Sequence, residues 1–167
     1  MHGTTGILAS ALKHAPTVQR IVVTSSCAAV LTPTPEPRVF SEADWNEASI
    51  LEVKEKGREA TNFAKYRASK TLAERAAWEF WEKRKGEVQW DLVVANPPFV
   101  FGPFLHEVDK PENLNESARD WYDTIVKSTK DNDALVNVGY ALVWFDVLWC
   151  VLELTWNFSQ IVVCRRT

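Results

Sequence analysis

Two short apolar runs, Gln19–Ser26 (QRIVVTSS) and Val88–Ala95 (VQWDLVVA), constrain this chain more than any other feature. The first is β-branched and alternates too little for a strand that is wet on one face, so it reads as a buried strand of a parallel sheet. The second is an apolar strand, ended abruptly by Asn96-Pro97-Pro98. A helical pattern precedes each. Gly3–His14 sets Ile7, Leu8, Ala11 and Leu12 at helical spacing before Pro16 closes it. Asn62–Lys85 is long and rich in Ala, Glu, Lys and Arg, with Gly86 as its stop and Phe63, Tyr66, Ser69, Lys70, Ala73 and Ala77 along one side. This alternation of helix and buried strand predicts an α/β fold with a parallel sheet flanked by helices.

The rest of the chain is less regular. Leu31–Pro37 holds three prolines in seven residues and must be a loop. Ser41–Trp45 reads as a turn leading into a short, charged, exposed segment up to Glu59. Asn115–Thr129 predicts an amphipathic helix with Ala118, Trp121, Ile125 and Val126 on its apolar side, and Leu135–Val138 a short strand. No internal repeat and no Gly/Ser linker marks a second domain, and 167 residues suit one core. With 46% apolar and 25% charged residues the composition excludes a disordered tail or a collagen-like fibre. The net charge of −3 leaves no basic surplus to neutralise phosphates, so no nucleic-acid partner is expected. Cys27, Cys150 and Cys164 have neither metal-like spacing nor a disulfide pattern, and His2, His14 and His106 are isolated. Tyr140–Leu154 is interrupted by Asp146 and Glu153 and too short to span a bilayer, and no secretory signal opens the chain. The expectation is a cytoplasmic protein with no metal and no membrane partner.

One constellation carries chemistry. Tyr66 and Lys70 are four apart on the long helix, which makes them neighbours. An ammonium beside a phenol favours the phenolate, and such a tyrosine can exchange a proton with a carbonyl or alcohol oxygen. Ser25-Ser26 arrives from a strand end, where ligands sit in open α/β sheets, and a hydroxyl there can hold the same oxygen. Together these groups make an acid/base site for carbonyl–alcohol interconversion that needs only a hydride donor.

The runs Arg20–Ser26, Tyr66-Arg67-Ala68-Ser69-Lys70-Thr71-Leu72-Ala73-Glu74 and Asn96–Pro103 are similar, in order and spacing, to the extended short-chain dehydrogenase/reductases (the epimerase/dehydratase family). Within that family they most resemble the branch of dihydroflavonol 4-reductase, cinnamoyl-CoA reductase and fungal aldehyde/ketone reductases, as does Phe40–Trp45. The resemblance covers about Gly3 to Tyr140. It implies a partial Rossmann-like sheet lacking the first βαβ units, with residues 1–140 as the C-terminal half of an NAD(P)-binding domain and the start of a substrate-binding part. It implies Ser26, Tyr66 and Lys70 as catalytic residues, with Lys70 also holding the nicotinamide ribose. It implies Thr24, Ser25, Pro97, Phe99 and Val100 beside the nicotinamide. NADP(H) is the expected cofactor, with NAD an alternative, and the reaction is reduction of a small ketone or aldehyde. A homodimer through helices 3–14 and 62–85 is a further implication.

Two departures bear on activity. The family's Gly-rich turn after its first strand has no counterpart among the six glycines. Gly3-Thr4-Thr5-Gly6-Ile7-Leu8-Ala9 matches that motif as a string but follows no strand. Residues 141–167 form an anomalous tail with three of the eight tryptophans and neither proline nor glycine. Their ending, Cys164-Arg165-Arg166-Thr167, fits an intron read through in a shifted frame better than a stretch native to the fold. The 167 residues alone are therefore expected to be inactive. The alternatives are a catalytically dead interaction or dimerisation module, and an epimerase or dehydratase using the same tyrosine and lysine.

Overall fold

The computed structural model describes residues 2–32, 34–36, 38–98 and 106–127, together with the backbone of Val163–Arg166. Residues 1–97 with 159–167 form one compact unit and residues 98–158 another.

The first unit carries helix α1 (His2–His14), strand β1 (Arg20–Thr24), helix α2 (Glu47–Lys56), helix α3 (Asn62–Arg84), and strands β2 (Asp91–Asn96) and β3 (Val163–Arg166). The expected parallel pair is present. β1 and β2 run side by side from Arg20 opposite Asp91 to Thr24 opposite Ala95. A two-pronged bond from Arg20 to Asp91, at 2.8 and 2.6 Å, ties the two strands where they begin. β3 pairs antiparallel with the far edge of β2, so the sheet order is β1-β2-β3. The predicted strand at Leu135–Val138, and most of the tail, lie outside the described residues.

The parallel strands lean on a core of Leu8 from α1, Ala77 from α3, and Trp90, Leu92 and Val94, with Ile21, Val23, Trp78, Phe80 and Trp81 around it. α3 begins at Thr61, whose Oγ1 accepts the Ala64 N–H at 3.1 Å. Its buried face is made of small residues, Ala64, Ala68, Thr71 and Ala77, with Glu74 among them, and this lets the helix backbone come close to its neighbours. The side running from Phe63 to Ala77 is not uniform. Phe63, Tyr66 and Ser69 are exposed, whereas Ala77 is fully buried.

The segment up to Glu59 is charged and largely exposed, as expected, but it is ordered as helix α2 followed by a 3-10 turn at Gly57–Glu59, which the sequence reading did not foresee. Asn46 caps α2 by accepting the Ser49 N–H at 3.0 Å, Gly57 closes it at φ 53°, and Ser49 and Ile50 are buried. The second unit holds α4 (Glu116–Ile125), capped by Asn115. Trp121, Ile125 and Val126 of the expected apolar side are exposed among the described residues.

Candidate active site

The carboxyl ends of β1 and β2 meet at Thr24–Ser26 and Asn96–Pro97. The Ser25 N–H donates to Ala95 O at 2.8 Å and the Cys27 N–H to Pro97 O at 3.0 Å, so the pairing continues past both strand ends. Ser26 is extended and caps a 3-10 turn at Cys27–Ala29. Its Oγ accepts the Ala28 N–H at 3.2 Å and its own N–H donates to Asn96 Oδ1 at 3.2 Å. Asn96 is buried, and its Nδ2 makes a long 3.5 Å contact with Oε1 of the equally buried Glu74. Two strand ends and a helix are thus joined behind Ser26.

α3 packs against the turn that follows Ser26. Thr71 Oγ1 reaches Ala29 O at 3.4 Å while also bonding Arg67 O at 2.8 Å. One turn earlier on α3, Tyr66 is half exposed, and the Lys70 ammonium lies 5.9 Å from the centroid of its ring. The spacing of four residues therefore brings the two groups together as expected. Burial pushes the Cys27 thiol up from its ordinary value; the Ser26 hydroxyl, the Arg67 guanidinium and the Ala28 N–H pull the other way without reversing it.

Of the residues singled out in the sequence, Thr24, Ser25, Ser26 and Pro97 stand together at the strand ends, and Tyr66 and Lys70 form a pair on α3. Phe99 and Val100 lie outside the described residues. Asn46, Thr71, Glu74 and Asn96 were not singled out, although each bonds to the strand ends, to the turn or to a neighbour that does. Asn96 gave a usable signal, a polar residue closing an apolar run, and so did Asn46, a helix-capping residue.

A nicotinamide cofactor fits one end of this arrangement. The buried Ser25 Oγ, just past the end of β1, has no hydrogen-bond partner among the described residues and is left for a bound group to satisfy. The pyrophosphate end is different. Gly3 and Gly6 lie within α1, Gly57 closes α2 and Gly86 follows α3, so none of these described glycines sits in a turn between a strand and the helix after it, where a phosphate cradle is built. No described helix is long and apolar enough to cross a membrane.

No protein-family model matches the chain. Individual proteins do. The chain is 40% identical over 150 residues to the ketoreductase azaE of Aspergillus niger, covering 87% of this chain and 40% of that protein. It is 37% identical over 105 residues to the dihydroflavonol 4-reductase of Arabidopsis thaliana, covering 63% of this chain and 25% of that protein. Among solved structures, the yeast methylglyoxal/isovaleraldehyde reductase Gre2 complexed with NADPH superposes with a TM-score of 0.62 at 34% identity, over 78% of this chain and 38% of that one. The chain thus spans about two fifths of the length of the ketoreductase and of the methylglyoxal/isovaleraldehyde reductase. By the ordered motifs, the parallel strand pair and these likenesses, the chain is homologous to part of the extended short-chain dehydrogenase/reductases, in their dihydroflavonol-reductase-like branch.

Proposed function

We propose that this chain carries the acid/base and nicotinamide end of an NADP(H)-dependent reductase of small ketones or aldehydes. The observation that carries the reading is the Tyr66–Lys70 pair, a half-exposed phenol with an ammonium 5.9 Å from its ring centroid, on the helix packed behind the Ser26 turn. That a ketoreductase and an NADPH-bound aldehyde reductase are similar to the chain supports it. When bound, the cofactor supplies a hydride to the carbonyl carbon. Tyr66 gives its phenolic proton to the carbonyl oxygen and takes one back in the oxidising direction. The Lys70 charge offsets the negative charge left on the phenolate, and its ammonium would hold the nicotinamide ribose. The Ser26 Oγ has a lone pair engaged by the Ala28 N–H, which leaves its hydrogen to donate to the same carbonyl oxygen. Thr24, Ser25 and Pro97, at the strand ends, would line the nicotinamide.

The 167 residues alone, with no glycine-rich cradle, are expected to bind NADPH weakly and to turn over no carbonyl. The assay therefore uses the longest natural form of the protein. There, consumption of NADPH by simple aldehydes or ketones is expected, and Tyr66→Phe lowers kcat by about 10²- to 10⁴-fold. Activity with NADH alone would correct the cofactor. Turnover of nucleotide sugars without that of simple carbonyls would assign the pair to an epimerase. Unchanged NADPH fluorescence and no turnover would overturn the reading.

A further inference from the structure

We propose that Asn46 is a positioning residue for Ser26, an inference that rests on Ser26 being the group that holds the carbonyl oxygen. Asn46 lies twenty residues downstream in sequence and is fully buried. Its Nδ2 donates to Leu31 O at 2.7 Å and to Ala28 O at 3.2 Å, and its backbone N–H donates to Ala29 O at 2.9 Å. Three carbonyls of the turn behind Ser26 thus converge on one residue. The same turn is closed internally by bonds from Val30 and Leu31 to Cys27 O.

The link to Ser26 runs through Ala28. The Ala28 N–H holds the Ser26 Oγ, and the Ala28 carbonyl is held by Asn46. Fixing Ala28 fixes the direction left to the Ser26 hydroxyl hydrogen. Asn96 braces the other side through the Ser26 N–H. Only a side-chain amide can do what Asn46 does, because Oδ1 must accept from Ser49 N–H to cap α2 while Nδ2 donates to two carbonyls. Turned over, the amide would set its oxygen against those carbonyls and its hydrogens against the cap N–H, so the network admits one orientation. The helix start and the catalytic turn share a single side chain.

Two substitutions separate the roles. Asn46→Ser keeps a good helix cap and removes the donors to the turn. Asn46→Asp keeps the acceptor and sets a carboxylate against the carbonyls. The measurement is a double-mutant cycle with Ser26→Ala on the longest natural form of the protein, reading kcat and the KM for NADPH. Ser26→Ala is expected to lower kcat about 10²-fold. Asn46→Ser is expected to lower it about 10-fold with the KM for NADPH unchanged, and by less than about twofold when Ser26 is already Ala. An equal loss from Asn46→Ser in both backgrounds would show a role in folding alone and overturn the proposal. A Ser26→Ala variant of full kcat would overturn the catalytic reading of Ser26, and this inference with it. If Asn46→Ser does not fold, Asn46→Asp completes the cycle; if neither folds, Asn46 serves the fold and the proposal fails.

Discussion

Cys27 reports how closed the region behind Ser26 is. Its thiol is half-buried, and burial raises it above the ordinary cysteine range despite the nearby Ser26 hydroxyl and Arg67 charge. Because the thiolate is the nucleophile, a raised thiol reacts slowly. A raised folded-state value also means that the contribution of Cys27 to stability is present below about pH 8.5 and fades as pH rises through the folded value. At neutral pH, iodoacetamide is expected to label the Cys27 peptide several-fold more slowly in the native chain than in urea, by quantitative mass spectrometry. Equal rates would mean that the turn opens freely. Tyr66 and Lys70 were legible in the sequence because helical spacing alone makes them neighbours and their chemistry is distinctive. The bonds of Asn46, Asn96 and Glu74 were not, since each reaches a partner distant in sequence; Asn46 and Asn96 could be read only as a helix start and a strand end. Nothing local sets Glu74 apart from the surface acids of the same helix.

α2 was the element that periodicity missed. Its sequence, EASILEVKEK, offers few apolar positions, and only Ser49 and Ile50 are buried, so the stripe is too narrow to announce a helix. The end signals, Asn46 and Gly57, were there to be read. The helix is held to α3 by packing and by the pair of Glu47 with Arg75, whose guanidinium also lies 4.8 Å from the Trp45 ring centroid. The Arg75 hydrogen bond lowers the Glu47 carboxyl below its usual range. A depressed carboxylate stabilises above its unfolded value, about 4.3, and loses that contribution as pH falls through the lower folded value. Glu47 is 64% exposed, so solvent screens most of the effect. Glu47→Gln is therefore expected to cost less than about 1 kcal/mol at pH 7 and less still near pH 3, by urea unfolding at both. A cost that persists undiminished at low pH would assign the effect to packing or capping instead of charge.

Over the whole molecule the question is which force holds the sheet-bearing unit together. The helix–strand rhythm made its parallel pair legible, because buried β-branched runs have few alternatives. β3 was not, because residues 141–167 have no clear period and no caps. The ion pairs of the described residues are largely exposed, with Arg20–Asp91, at 31% and 29%, among the better shielded. Exposed pairs contribute little and are screened by salt. The cluster of Leu8, Ala77, Trp90, Leu92 and Val94 is nearly free of water and joins α1, α3 and β2. Leu8→Ala would leave a cavity where these elements meet, at a cost of about 2–5 kcal/mol. For a chain of this size that lowers Tm by about 5–15 °C, whereas 0.5 M salt should shift it by no more than about 2 °C. Differential scanning fluorimetry on wild type and variant, each at low and high salt, compares the two forces directly. A salt shift as large as the Leu8→Ala shift would mean that charge pairs, with Arg20–Asp91 first among them, hold the strands to a degree that their exposure argues against.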